Sequence, residues 1–189
     1  MSPSDAIKTL VDGNARFVAG TPRPRPSIAR IRELAGGQAP FATVLACADS
    51  RVPVEMLFDC DPGDIFVVRL AGNYVSDDAL ASIEYAVAML ETPLVMVLGH
   101  TSCGAVHAAV EFVKTGAHLP GHMQTLANAI EPAAKNTEGR PGDWWRNAVA
   151  ENVRLNVDAL RASSPVMTNA ACEIAGAVYD LATGEVTLL

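Results

Sequence analysis

Three short runs whose centres are apolar on both faces constrain this chain more than any other feature: Phe41–Ala46 (FATVLA), Asp64–Arg69 (DIFVVR) and Leu94–Leu98 (LVMVL). A strand wetted on one side alternates apolar and polar residues. A run without alternation must be covered on both sides, as in a parallel sheet lying between helices. The segments between and after these runs have the helical period. Ser76–Glu91 places Leu80, Ile83, Val87 and Leu90 on one face, and Ser102–Thr115, Gly121–Lys135 and Trp144–Arg161 continue the pattern. Near the end, Glu173–Tyr179 and Glu185–Leu189 flank Thr183-Gly184 and read as a hairpin. Strands alternating with helices through right-handed crossovers predict an α/β fold, with a mainly parallel central β-sheet flanked by helices and a C-terminal hairpin.

Ahead of this core, Ser4 is expected to cap a helix carrying Ile7, Leu10, Val11, Phe17 and Val18, with Gly20 as its stop. Pro22–Pro26 (PRPRP) reads as a stiff extended arm, and Ser27 as the cap of a short helix reaching Leu34 and closed by Gly36-Gly37. The 189 residues are therefore expected to form one domain, with residues 1–35 a protruding N-terminal helical arm and residues 36–189 the α/β core.

Charge and hydropathy exclude several function classes. With 21 acidic and 14 basic residues the net charge is −7, which argues against a nucleic-acid partner. No apolar run approaches the roughly 18 residues a membrane span needs. The N-terminus has no basic segment followed by an apolar one, so no secretory signal is visible and a cytoplasmic location is expected. In a reducing compartment the four cysteines, Cys47, Cys60, Cys103 and Cys172, read as structural, catalytic or metal-bound rather than paired.

Ligands of open α/β sheets collect at the carboxyl ends of strands. Cys47 ends the first strand, and His100 and Cys103 lie just past the third, so the three side chains converge if those strands are neighbours. Two thiolates and an imidazole suit Zn²⁺, and three protein ligands leave the open fourth position of a catalytic site. Asp49 and Arg51 follow Cys47 in CADSR and suit a bidentate ion pair at the same end of the strand.

ACADSRVPVE at Ala46–Glu55 and GHTSCGAV at Gly99–Val106 resemble the two signature motifs of β-class carbonic anhydrases. GNARF at Gly13–Phe17, GDIFVVRLAGN at Gly63–Asn73, SIEYAV at Ser82–Val87 and GAVYDLATG at Gly176–Gly184 extend the resemblance over nearly the whole chain. It implies a zinc enzyme, one Zn²⁺ per chain, hydrating carbon dioxide reversibly to bicarbonate and a proton by attack of zinc-bound hydroxide. Cys47, His100 and Cys103 match the zinc ligands, and Asp49 and Arg51 the catalytic dyad. Gln38, Phe66, Ala71, Tyr85 and Gly104 match substrate-binding or cleft-lining positions. The resemblance also implies a homodimer or larger homo-oligomer whose cleft lies at a subunit interface, and a closed state in which Asp49, freed from Arg51, takes the fourth zinc position. Leu70 departs from the Asn found in many members. No Trp precedes Trp144, so the second, inhibitory bicarbonate site of some bacterial members is not expected.

Other residues have plainer readings. His107, one helical turn after Cys103, reads as a surface or interface residue before a proton shuttle. His118 and His122 read as loop residues, Cys60 and Cys172 as packing, Trp144 and Trp145 as core or interface anchors that nothing places at the site, and Tyr179 as core. Three rival functions share these residues: a zinc hydrolase of a linear CO₂ analogue such as CS₂ or COS, a non-catalytic zinc- or anion-binding module, and a thiol redox protein. The last is disfavoured because no Cys-x-x-Cys occurs.

Overall fold

The three doubly apolar runs lie side by side. The computed structural model describes residues 1–24, 26–169 and 171–189, with Arg30 and Asn169 described by backbone alone. Its strands are β1 (Ala42–Ala46), β2 (Ile65–Arg69), β3 (Leu94–His100), β4 (Glu173–Tyr179) and β5 (Val186–Leu188), in the order β2-β1-β3-β4-β5. β1 to β4 are parallel, and β5 returns antiparallel to close the expected hairpin, Tyr179 facing Val186. His100 is the last residue of β3, not part of the loop beyond it. Pairing with β4 continues through Gly99↔Val178 and His100↔Tyr179, which a local sequence window cannot reveal.

The helices are α1 (Pro3–Val18), α2 (Ile28–Glu33, running into a 3-10 turn at Leu34–Gly36), α3 (Val54–Leu57), α4 (Asp77–Met89), α5 (Gly104–Thr115), α6 (Met123–Thr137), α7 (Trp144–Ser163) and α8 (Pro165–Asn169). α3 and α8 were not anticipated, being too short to show a period. The cap of α1 is Ser2, not Ser4: Ser2 Oγ accepts from Asp5 N and the Asp5 carboxylate accepts from Ser2 N, with proline at the start of the helix. Of the proline run, Arg25 lies outside the described residues.

Strand alternation sorts the core into two faces. Val44, Ala46, Met96, Leu98 and Tyr179 pack beneath α1 (Ala6, Leu10) and α3 (Val54, Leu57). Leu45, Val95 and Val97 pack beneath α4 (Ile83, Val87) and α7 (Val153, Val157, Leu160). α7 lies close to the sheet because glycines face it. A methyl at Gly99 would sit 2.6 Å from Val153 Cγ2, and one at Gly176 would sit 2.8 Å from Val153 Cγ1. Among the described residues no helix is long and apolar enough to cross a membrane.

The GNARF segment seats α1. Gly13 abuts the backbone of Phe58, and a methyl there would lie 1.8 Å from the Phe58 carbonyl oxygen. Asn14 is buried and satisfied on both ends: Nδ2 donates to Leu57 O (3.1 Å) and Gly184 O (2.9 Å), and Oδ1 accepts from Val186 N (2.9 Å). Arg16 Nε donates to Asp59 Oδ2 at 2.6 Å. The other half of the N-terminal region is more open, with Ile28 and Ile31 exposed.

Candidate metal centre

β1 lies between β2 and β3, so the chain leaves its carboxyl end in one direction and enters β3 on the other side. This is the switch point at which α/β sheets open a crevice. Cys47 follows β1 directly, His100 ends β3, and Cys103 occupies the cap position just before α5. The nearness of β1 and β3, a condition in the sequence reading, is met: Ala46 pairs with Leu98. One ligand atom from each of Cys47, His100 and Cys103 lies within 4.8 Å of the others, and all three residues are buried. The two sulfurs are 3.9 Å apart.

The chemistry of the donors fits a metal. His100 Nδ1 lies 2.9 Å from the Thr101 carbonyl, which can only accept, so Nδ1 carries the proton and Nε2 presents a lone pair. That Nε2 is fully buried without a hydrogen-bond partner, a deficit of about 1–3 kcal/mol if nothing bonds it. The thiols show the same demand. Cys47 is driven well below an ordinary thiol because its thiolate accepts from the Cys103 thiol, and from the Gly72 N–H besides, against the cost of burial. Cys103 is pushed up, by donating to Cys47, by burial and by the neighbouring negative charge. The pair therefore ionises once readily and a second time only with a cation present. Zn²⁺, with its affinity for two thiolates and an imidazole, meets both requirements.

Asp49 and Arg51 stand at the rim of this cluster. Arg51 Nε donates to Asp49 Oδ1 (3.0 Å) and Nη2 to Oδ2 (2.7 Å), with the Arg51 backbone N–H adding a third bond to Oδ1 (2.9 Å). These bonds hold the Asp49 carboxyl far below the usual carboxylate range, the Arg51 side-chain hydrogen bonds being the main cause. Asp49 Oδ2 lies 3.9 Å from His100 Nε2, so the carboxylate faces the ligand cluster without joining it. Arg51 Nη2 also reaches the Ser102 carbonyl at 3.3 Å, and Arg69 fixes the strand end by donating to Cys47 O (3.0 Å) and Asp49 O (2.7 Å).

The remaining predicted residues lie outside the ligand cluster. Phe66 on β2 and Tyr85 on α4 pack ring against ring, centroids 6.2 Å apart, with Tyr85 half exposed. Ala71 precedes Gly72, whose N–H donates to Cys47 Sγ at 3.3 Å. Gly104 is the exposed first residue of α5. Gln38 is exposed in the loop before β1 and, among the described residues, hydrogen-bonds none of the others. Leu70 packs against the core cluster of α4 and α7. His107 is exposed, as read; His118 lies near Phe112, and His122 stands just before α6. Cys60 is buried and pushed up to about 12 by desolvation, an inert packing thiol.

Trp145 packs against the core as expected, and at a place the sequence did not show, beside the ligand cluster. Its Nε1 donates to the Cys103 carbonyl at 2.9 Å, and its ring packs at a tilt against His107 with centroids 4.6 Å apart. Asn152 was missed altogether. It is buried and its Nδ2 donates to Gly72 O at 2.9 Å. The available signal was polarity out of place: Asn152 and Asn156 fall on the apolar side of an otherwise amphipathic helix.

Comparison with known proteins follows the same lines. A family profile described as carbonic anhydrase matches residues 42–186. The chain is 38% identical over 192 residues to carbonic anhydrase 2 of Mycobacterium tuberculosis, covering 99% of this chain and 93% of that protein. It is 40% identical over 194 residues to a carbonic anhydrase of Mycolicibacterium smegmatis, with the same coverage. Among solved structures, a Coccomyxa β-carbonic anhydrase bound to acetazolamide superposes with a TM-score of 0.75 at 29% identity, over 86% of this chain and 78% of that one. A β-carbonic anhydrase of Sordaria macrospora, described as tetrameric, gives 0.74 at 26% identity over 84% and 85%.

Proposed function

This chain belongs to the β-carbonic anhydrase family, and on that premise we propose that it catalyses the reversible hydration of carbon dioxide to bicarbonate and a proton. The observation that carries the reading is the pairing of a Cys₂His ligand cluster with a carboxylate aimed at it and locked by a guanidinium. A binding module would need the cluster alone.

Cys47, His100 and Cys103 would hold zinc. Bound there, Zn²⁺ supplies hydroxide from water near neutral pH. Two thiolates cancel the ion's charge, so this chain's own residues must favour the ionised nucleophile. Asp49 Oδ2, facing the ligand cluster, would accept a hydrogen bond from the nucleophile and orient it. Arg51 keeps Asp49 ionised and fixes both carboxylate oxygens, so Asp49 cannot rotate away or collapse onto the ligands. Gln38, Phe66, Ala71, Tyr85 and Gly104 are assigned to the cleft that admits carbon dioxide, with Phe66 and Tyr85 as its aromatic wall.

We assign the working form to a homo-oligomer of single-domain chains spanning residues 1–189. Exposed Met89 and Tyr85 on α4, exposed Met56 on α3, and β2 at the edge of the sheet are offered as contacts for a second copy. Four free thiols accord with the cytoplasm.

Stopped-flow hydration of carbon dioxide, with zinc content measured on the same sample, tests the reading. Rapid hydration at about one zinc per chain, abolished in Asp49→Ala with zinc retained, supports it. Full zinc loading without hydration rejects it in favour of the binding module or an analogue hydrolase.

A further inference from the structure

α7 touches the surroundings of all three proposed ligands from one face. Trp145, Val149, Asn152, Val153 and Asn156 recur at intervals of three and four, so they form one stripe along the helix. Trp145 Nε1 donates to the carbonyl of Cys103. Val149 and Val153 meet the backbone of Gly99, immediately before His100, so closely that no side chain fits there. Asn152 Nδ2 donates to Gly72 O, and the N–H of the same Gly72 donates to Cys47 Sγ. Gly72 itself has φ +84°, and a methyl on it would lie 2.4 Å from Ile130 Cδ1, so the turn cannot be rebuilt with a bulkier residue.

The Asn152 contact is itself held. Asn156 Nδ2 donates to Asn152 O (2.7 Å) and Oδ1 (3.1 Å), which fixes the Asn152 amide with its NH₂ toward Gly72, and Asn156 Oδ1 accepts from Val75 N at 2.7 Å. Asn152 is 2% exposed and Asn156 7%. Two amides kept inside an apolar helix face are costly unless every group is paired, and here the pairing leads to the Gly72 turn, whose N–H bonds Cys47 Sγ. The ligand loop is gripped similarly: Ser102, at φ +57°, has its carbonyl held by Arg51, and Thr101 N donates to Tyr179 O.

We infer that Trp145 and Asn152 are positioning residues that set the two thiolate ligands from one helix, Trp145 through the Cys103 carbonyl and Asn152 through the Gly72 amide on Cys47. This rests on the zinc reading above and extends it to residues that touch neither metal nor substrate. The role is to hold the sulfurs at the spacing zinc needs, so its loss loosens the metal. Removal of such outer contacts typically costs tenfold to a hundredfold in metal affinity.

The test compares zinc-loaded wild type with Trp145→Phe, which keeps the ring and loses the N–H, and Asn152→Leu, which keeps the volume and loses the amide. Zinc release to a chromophoric chelator is timed, the thiolate-to-metal charge-transfer band of the cobalt-substituted protein is recorded, and Ile83→Val on α4 serves as a variant destabilised away from the centre. The expected result is zinc release about tenfold faster in either α7 variant, with a shifted cobalt band, and wild-type behaviour in Ile83→Val. If one α7 variant does not fold, the other decides. Release and spectrum equal to wild type in a folded α7 variant overturn the inference and leave the zinc reading intact. Equal acceleration in Ile83→Val also overturns it, by tracing the effect to global stability. A wild type that takes up no zinc overturns both.

Discussion

Gly13→Ala sets two physical effects against each other on α1. In an isolated helix the change is stabilising by about 1 kcal/mol, because glycine is the poorer helix former. Here the new methyl would meet the Phe58 carbonyl oxygen at 1.8 Å and its carbon at 2.7 Å. Both are backbone atoms and cannot swing aside. An unstrained carbon–oxygen approach is about 3.3 Å, so α1 must retreat about 1.5 Å. Asn14 is the next residue, and that retreat takes its three bonds to Leu57, Gly184 and Val186 out of range. Strain of about 2 kcal/mol and three bonds at about 1 kcal/mol each outweigh the helix gain and leave about 4 kcal/mol of net destabilisation. For a chain of this size that lowers the melting temperature by about 8–16 °C. The assay is thermal unfolding at fixed protein concentration, with Gly36→Ala, whose new methyl meets nothing within 4 Å, as the neutral comparison. A Gly13→Ala protein that melts at or above wild type would refute the close-approach reasoning.

Further outcomes follow from the same geometry. Arg51→Lys replaces a fork with a point charge and frees one Asp49 oxygen; kcat should fall tenfold to a hundredfold while zinc content stays at one per chain, measured by stopped flow and metal analysis. Burial by itself would raise the Asp59 carboxyl, but hydrogen bonds from Arg16 and the Arg23 backbone, with both charges, hold it below its ordinary value. Its stabilising contribution is therefore complete above the unfolded pKa of about 3.9 and is lost as pH falls through the lower folded value. The stability gap between wild type and Asp59→Asn should be constant from pH 8 to about pH 5 and close below about pH 4, as read by urea titration. Stripping zinc with a chelator should lower the melting temperature and make two more thiols titratable by a disulfide reagent, Cys47 and Cys103, with Cys60 still silent. No change in thiol count would place the metal elsewhere.

The sheet was legible because its signal is local. Runs such as LVMVL declare burial on both faces by their own composition, and the helix from Ser76 carries a capping serine and one apolar face. What escaped was set by partners distant in sequence. β3 reaches His100 because β4, some eighty residues later, continues to pair with it. Ser4 and Ser2 are both plausible caps on composition. Ser2 takes the role because Asp5 stands three residues after it and Pro3 between them, a pattern the longer reading of the apolar face obscured. The convergence of Cys47, His100 and Cys103 and the pairing of Asp49 with Arg51 were legible from motif spacing, because the strand end fixes Cys47, Asp49 and Arg51 together.

Trp145 and Asn152 show why the motif is an incomplete account of the site. Cys103 follows a residue with positive φ, Ser102, and Cys47 takes a hydrogen bond from a second such position, Gly72. A strained turn beside a proposed ligand must be held from outside or it relaxes, and relaxation would move a sulfur. The holding groups can come from anywhere in the chain that passes overhead. Here they come from a helix more than forty residues beyond Cys103, so no spacing rule near the cysteines can find them. The trace they leave in sequence is a cost: buried amides and an indole N–H on a face that packing alone would fill with Leu and Val. Where such a cost recurs along one helix stripe, the groups opposite it are what the stripe is holding.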